Sequence, residues 1–182
     1  PNSRIAMEYA PENAIPYISR VDAGTIELVR RIASAEILSS AELVQEFQSR
    51  WGSEGLRCHQ KATEIVYGAV QDCFGFVKLE MSAGRKIDEH SLQQRILGAL
   101  DSNGIVGCST CIVSTGPNSG LPHYAPSKDQ NAQIVPGAVL LFDVWGKLRD
   151  PGAVYTDMTF MAFTGVSPGE RELNVWRAVS GA

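Results

Sequence analysis

Val139-Leu140-Leu141-Phe142-Asp143-Val144-Trp145 and, further on, Ala153-Val154-Tyr155-Thr156-Asp157-Met158-Thr159-Phe160 are two apolar runs, each with one acid in its interior. Their β-branched and aromatic content predicts strands from Ala138 to Trp145 and from Ala153 to Phe163. Gly146 to Gly152, with Lys147-Leu148-Arg149-Asp150-Pro151-Gly152 as turn material, predicts a hairpin between them. A symmetric register centres that hairpin on residue 150, midway between Asp143 and Asp157. The two carboxylates are then direct cross-strand neighbours, with Cβ atoms about 5 Å apart. Like charges placed so destabilise a sheet, and bare carboxylates among Leu, Phe and Val cost several kcal/mol. A shared proton relieves this, and so does a divalent cation between the acids. A third arrangement puts one acid on a solvent-facing edge, hydrogen-bonded to backbone.

Upstream of the hairpin, Gly116-Pro117-Asn118-Ser119-Gly120-Leu121-Pro122-His123-Tyr124 is a loop rich in turn formers. His123 is its candidate functional residue, weighed against an ordinary surface histidine. Before it, Leu56, Ala62, Ile65, Val66, Ala69, Val70 and Phe74 recur at helical spacing from Ser53 onward. Asp88 is placed as the N-cap of a second helix through Leu92, Ile96, Leu97 and Leu100, with Asp101-Ser102-Asn103-Gly104 as the loop that ends it. His59 and His90 fall on these helices without an acidic pair in register and are expected to be packed or solvated. Ile112-Val113 predicts a short strand.

The first fifty residues form a separate pattern. Tyr9 to Asn13 and Ile15 to Tyr17 are expected as loop and extended segments, since proline biases its predecessor away from helix. Asp22 can cap a helix over Thr25 to Ile32, Glu36 to Leu38 can form a strand, and Ser39 or Ser40 precedes a helix carrying Leu43, Val44 and Phe47. This reads as the tail of an α/β domain, too small to bury a core alone.

At the loop histidine and the two strand acids the sequence resembles the creatinase/prolidase/methionine aminopeptidase family, and within it the Xaa-Pro peptidases, prolidase and aminopeptidase P. Gly116 to Tyr124 is similar to the family's loop ending in His-Tyr. Pro136-Gly137-Ala138-Val139-Leu140-Leu141-Phe142-Asp143 is similar to its first acidic strand, and Tyr155-Thr156-Asp157-Met158-Thr159 to its second. Met7-Glu8-Tyr9 through Val21-Asp22-Ala23-Gly24 looks like the end of the domain that precedes catalysis in prolidase-like members.

The resemblance implies an α+β chain: the first half of a pita-bread fold over residues 52–182, preceded at 1–51 by the C-terminal part of a creatinase-like N-terminal domain. It implies Asp143 and Asp157 as ligands of two divalent metal ions (Mn, Co or Zn), with Asp157 bridging, and His123 contacting the substrate near the scissile bond. The implied reaction is metal-assisted hydrolysis of the peptide bond preceding proline in a peptide or dipeptide, by a homodimer. The remaining family ligands, a histidine and two glutamates, belong to the second half of the fold, so this chain by itself is expected to be an inactive fragment. The connection between the acids is longer than is common in the family, and Phe160 stands where many members have arginine. A metal-free creatinase-type hydrolase and a non-enzymatic pita-bread interaction protein are the alternative readings.

Composition sets the outer limits. The chain has 182 residues, 44% hydrophobic and 20% charged, with 16 Lys+Arg against 20 Asp+Glu. Such balance suits a globular domain, and a pI near 5.4 argues against nucleic acid as the main partner. No apolar run approaches the ~20 residues of a membrane span, and Pro1 to Ala10 has no signal-peptide core. The expectation is a cytoplasmic protein. Cys58, Cys73, Cys108 and Cys111 are too sparse for a disulfide framework. The Cys108–Cys111 pair has redox or half-zinc spacing, yet the expected role is structural thiols.

Overall fold

Asp22 accepts hydrogen bonds from the Thr25 amide at 3.0 Å and the Thr25 hydroxyl at 2.7 Å, and so starts helix α1, Ala23–Ile32. The computed structural model describes residues 3–14 and 16–181; Pro1, Asn2, Ile15 and Ala182 lie outside the described residues. The chain separates into two units, Pro1–Gly52 and Ser53–Ala182.

In the first unit, β1 (Ser3–Met7) and β2 (Ala35–Ser39) pair in parallel from Ser3↔Ala35 to Met7↔Ser39, with α1 as the crossover. Helix α2 (Ala41–Gln48) follows. Of its two candidate caps, Ser40 holds the N-cap position without a side-chain bond, while Ser39 Oγ accepts from the Ala41 amide at 3.1 Å. Ser39 Oγ also donates to the Tyr9 carbonyl at 2.6 Å. The Pro11–Asn13 and Pro16–Ile18 segments are single 3-10 turns rather than extended chain.

The second unit is a helix-backed sheet. Helix α3 (Ser53–Ser82) buries Cys58, Ala62, Val66, Val70, Cys73 and Val77, a stripe at three- and four-residue spacing. Asp88 caps α4 (Glu89–Ser102) in a capping box: its carboxylate accepts from the Ser91 amide at 2.7 Å, and Ser91 Oγ accepts from the Asp88 amide at 3.3 Å. Helix α4 runs on through Asp101 and Ser102, which sequence reading gave to the following loop.

Strand β5 (Val139–Leu148) is the hub of the sheet. Strands β4 (Ile112–Thr115) and β6 (Thr156–Phe163) both pair with residues 140–143 and therefore flank it, while β3 (Ile105–Val106) pairs its C-terminal end. All pairs are antiparallel. Leu140, Phe142, Val144 and Leu148 are buried against the helices, and Phe142 meets Phe74 of α3 edge-on at 5.0 Å between centroids. The odd residues of β5 face the other way and are only half-buried. Helix α5 (Glu170–Ser180), unforeseen in the sequence, ends the described chain.

Two expectations about the hairpin need correction. Lys147 and Leu148 belong to β5 rather than to the turn, because Ile105 and Val106 of β3 give their backbone a partner. Residues 153–155 belong to the connection, since β6 starts at Thr156. The register shifts accordingly: Asp143 pairs with Thr159, and Asp157 with Trp145. The acids are diagonal neighbours on one face, about 7–8 Å apart by the usual sheet geometry, not directly opposite.

Candidate metal and substrate site

A period of two along β5 and β6 decides where the chemistry lies. With the even residues of β5 buried, Asp143, Thr159 and Asp157 all project from the sheet face away from the helices. Across β5 on the other side, Ile112 pairs with Asp143 and Ser114 with Leu141. An open cleft of about 330 Å³ lies on this face, lined by Asp143, Thr159, Ile112, Leu141 and the loop residues Leu121 and His123, among others. The loop histidine and the first strand acid thus share one cleft; Asp157 stands outside its lining.

Within the site, Thr159 Oγ1 donates to Asp143 Oδ1 at 2.6 Å, directly across the strands. Asp157 carries no comparable bond. Partial burial, and next to it the Asp143 charge, hold its carboxyl above the ordinary aspartate range. The donor set therefore fits a divalent cation as far as it extends. Two hard oxygen donors lie on one face and repel each other, and a cation would neutralise them. Among the described residues no cluster of three or more His, Cys, Asp or Glu could hold a metal.

His123 is exposed and sits at φ 60°, the left-handed region that a non-glycine residue adopts only when its surroundings hold it there. The residues on either side of it hydrogen-bond to a residue the sequence reading passed over. Glu89, the first residue of α4, is fully buried. Its Oε1 accepts from the Thr115 amide at 2.7 Å and Asn118 Nδ2 at 3.0 Å. Its Oε2 accepts from the Tyr124 hydroxyl at 2.6 Å and the Ala132 amide at 2.7 Å. Every lone-pair direction of a buried carboxylate is used, as its desolvation requires. Burial and the bond to Glu89 push the Tyr124 phenol up to about 12, so it stays a donor throughout the neutral range. No spacing rule singles out this glutamate, since an acid in the first turn of a helix reads as dipole complementarity.

The remaining polar candidates lie apart from the cleft. His59 on α3 donates from Nδ1 to the Tyr155 carbonyl at 2.8 Å, and His90 is half-buried on α4. The four cysteines are free thiols, three of them buried. The interaction with Cys111 holds the Cys108 thiol below the usual range, while the interaction with Cys108 and burial hold the Cys111 thiol above it. Phe160 points to the helical side, its ring 5.9 Å from that of Tyr67, so it packs rather than reaching the acids.

Solved structures share this architecture. The chain is similar to a Xaa-Pro dipeptidase from Bacillus anthracis (TM-score 0.61, 16% identity, 88% of this chain and 42% of that one). It is similar to the prolidase from Pyrococcus furiosus (TM-score 0.62, 16% identity, 98% and 47%). It also resembles the X-prolyl aminopeptidase from Caenorhabditis elegans, described as a cytosolic enzyme with a di-nuclear active site (TM-score 0.63, 19% identity, 76% and 22%). The chain spans less than half the length of each, and its fold is the corresponding part of the pita-bread peptidase architecture. No curated protein matches the sequence. The model of metallopeptidase family M24 matches residues 57–182, well over half of the chain, and the chain belongs to that family.

Proposed function

We propose that the protein is a divalent-metal-dependent peptidase that cleaves the bond preceding proline, with Asp143 and Asp157 as metal ligands and His123 as the substrate-contacting residue. The observation that carries this reading is the shared cleft of His123 and Asp143, with Asp157 diagonal on the same uncovered face. When bound, divalent metal (Mn, Co or Zn) supplies the Lewis acidity that activates water and polarises a carbonyl. Thr159 fixes the Asp143 carboxylate by its hydrogen bond. His123 can donate from its ring to the charge that develops on the scissile group, where a preset donor is worth most. Ile112, Leu121, Pro122 and Leu141 give the cleft apolar walls suited to a pyrrolidine ring.

The same reading takes residues 1–51 as the end of a creatinase-like N-terminal domain and the protein as a cytoplasmic homodimer acting on proline-containing peptides. In its support, no helix among the described residues is long and apolar enough to cross a membrane. Among the described residues no third His, Cys, Asp or Glu joins the two carboxylates, and two carboxylates make a weak divalent site, so the 182-residue chain by itself is expected to be inactive.

The test is hydrolysis of a Xaa-Pro dipeptide and a Xaa-Ala control by the full-length protein, with Mn²⁺ and after chelation. Turnover of Xaa-Pro alone, abolished by chelation and by Asp143→Ala or Asp157→Ala, is the expected result. Equal turnover of both substrates, or turnover that survives both substitutions, refutes it. Turnover by the isolated chain refutes its inactivity.

A further inference from the structure

Glu89 lies beneath the His123 loop without lining the cleft. Its four donors are spread along the chain: Thr115 where the loop begins, Asn118 inside it, Tyr124 immediately after His123, and Ala132 beyond. The backbone repeats the tie, since the Glu89 amide donates to the Ala132 carbonyl at 3.0 Å and the Ile134 amide to the Ile87 carbonyl at 2.9 Å. One buried carboxylate therefore joins the rigid start of α4 to both sides of the histidine. Within the loop, Ser119 Oγ donates to the Gly116 carbonyl at 2.7 Å and the Tyr124 amide to the Leu121 carbonyl at 3.2 Å. These local bonds shape the turn; its start is held to β5 by the Thr115 hydroxyl, which donates to the Val139 carbonyl at 3.0 Å, and the bonds to Glu89 tie both of its flanks to the start of α4.

We infer that Glu89 is a positioning residue for His123: through Tyr124 and Asn118 it holds the imidazole in its strained left-handed conformation, aimed into the cleft. A backbone at φ 60° outside glycine persists where several contacts over-determine it, and Glu89 supplies them on both flanks. Glutamine cannot replace it. Each carboxylate oxygen faces a backbone N–H, from Thr115 on one side and Ala132 on the other, so an amide NH₂ meets a donor whichever way it is turned. Tyr124→Phe is the milder probe, because it removes a single hydroxyl from a ring outside the cleft. The inference rests on the proposed role of His123 in hydrolysis.

The test uses the full-length protein with four variants: Tyr124→Phe, Glu89→Gln, His123→Asn and the double variant Tyr124→Phe/His123→Asn. Asparagine tolerates positive φ and so removes the imidazole without recoiling the backbone. Tyr124→Phe is expected to lower kcat by about 10- to 100-fold with KM little changed, as for a displaced catalytic group. In the His123→Asn background the same change is expected to have no further effect on kcat. The His123 ring signals, identified by their loss in His123→Asn, are expected to shift in Tyr124→Phe. Glu89→Gln, where it folds, is expected to do the same more strongly. An unchanged kcat, an equal loss in both backgrounds, or unmoved ring signals each overturn the inference. If the unsubstituted protein hydrolyses nothing, the peptidase reading fails, and the ring signals alone still decide whether Glu89 sets the position of His123.

Discussion

Thr159 faces Asp143 across the β5–β6 ladder, and its hydroxyl donates to the carboxylate at 2.6 Å. That bond occupies one oxygen of the acid and fixes the plane of the other. Thr159→Val keeps the shape and removes the donor. The expected result is a fold of unchanged stability with divalent-metal affinity lowered about 10- to 100-fold, the usual cost of losing a ligand's supporting bond. Calorimetric titration of Mn²⁺ into the full-length protein and its variant measures it.

The repulsion between Asp143 and Asp157 gives a pH signature. The Asp157 carboxyl is held above its ordinary value by burial and by its neighbour, so the folded chain binds that proton more tightly than the unfolded one. The associated stability is present in acid, below the unfolded value, and is lost as pH rises through the raised one. Without metal, Asp157→Asn should flatten that dependence and raise stability near neutral pH slightly, by at most about a few tenths of a kcal/mol because solvent screens an exposed carboxylate. Urea denaturation of both proteins across pH 3 to 7, about the span over which a raised aspartate titrates, reads the difference.

The two faces of β5 should respond differently to truncation. Phe142 is fully buried and packs edge-on against Phe74, so Phe142→Ala should cost about 3–5 kcal/mol. Leu141, its neighbour on the cleft side, is half-buried, and Leu141→Ala should cost well under half as much. Chemical denaturation midpoints test the ratio.

Gly107 has φ 87°, and the Tyr155 ring rests where a Cβ would stand, with Cε1 at 2.6 Å. Gly107→Ala must therefore strain the backbone and displace Tyr155, whose ring also lies 5.2 Å from Lys147 Nζ. Destabilisation of about 1–3 kcal/mol is expected. Tyr155→Ala should relieve the steric part, so the double variant should be less destabilised than the sum of the singles, a thermal-denaturation cycle.

How far the sequence carried the fold depended on the range of the interactions involved. Helices α3 and α4 were legible because their signals are local: a stripe at helical spacing and an aspartate cap. Strand β1 was missed because the partner that makes Ser3–Met7 a strand lies 32 residues away in β2. The pairing of Asp143 with Asp157 failed by two residues, since Asp143 faces Thr159. Parity along the strands correctly put both acids on one face, but register depends on the connection, and the residues at each end of the turn are apportioned by tertiary contacts such as those of β3. For the site, His123, Asp143 and Asp157 were nameable as polar residues in conspicuous settings. Glu89 was not, because its importance is the convergence of donors from residues 115 to 132, and no local pattern records convergence.

The alternation along β5 has a consequence for how such a protein can change over time. The even positions carry the buried packing, and the odd ones, Asp143 among them, face the cleft side. A lineage could exchange Asp143, Thr159 or Asp157 for inert side chains and inherit the same scaffold intact, or acquire new chemistry there without solving the packing problem again. Packing and the cleft-facing side chains are thus written in separate, interleaved registers of the same sheet.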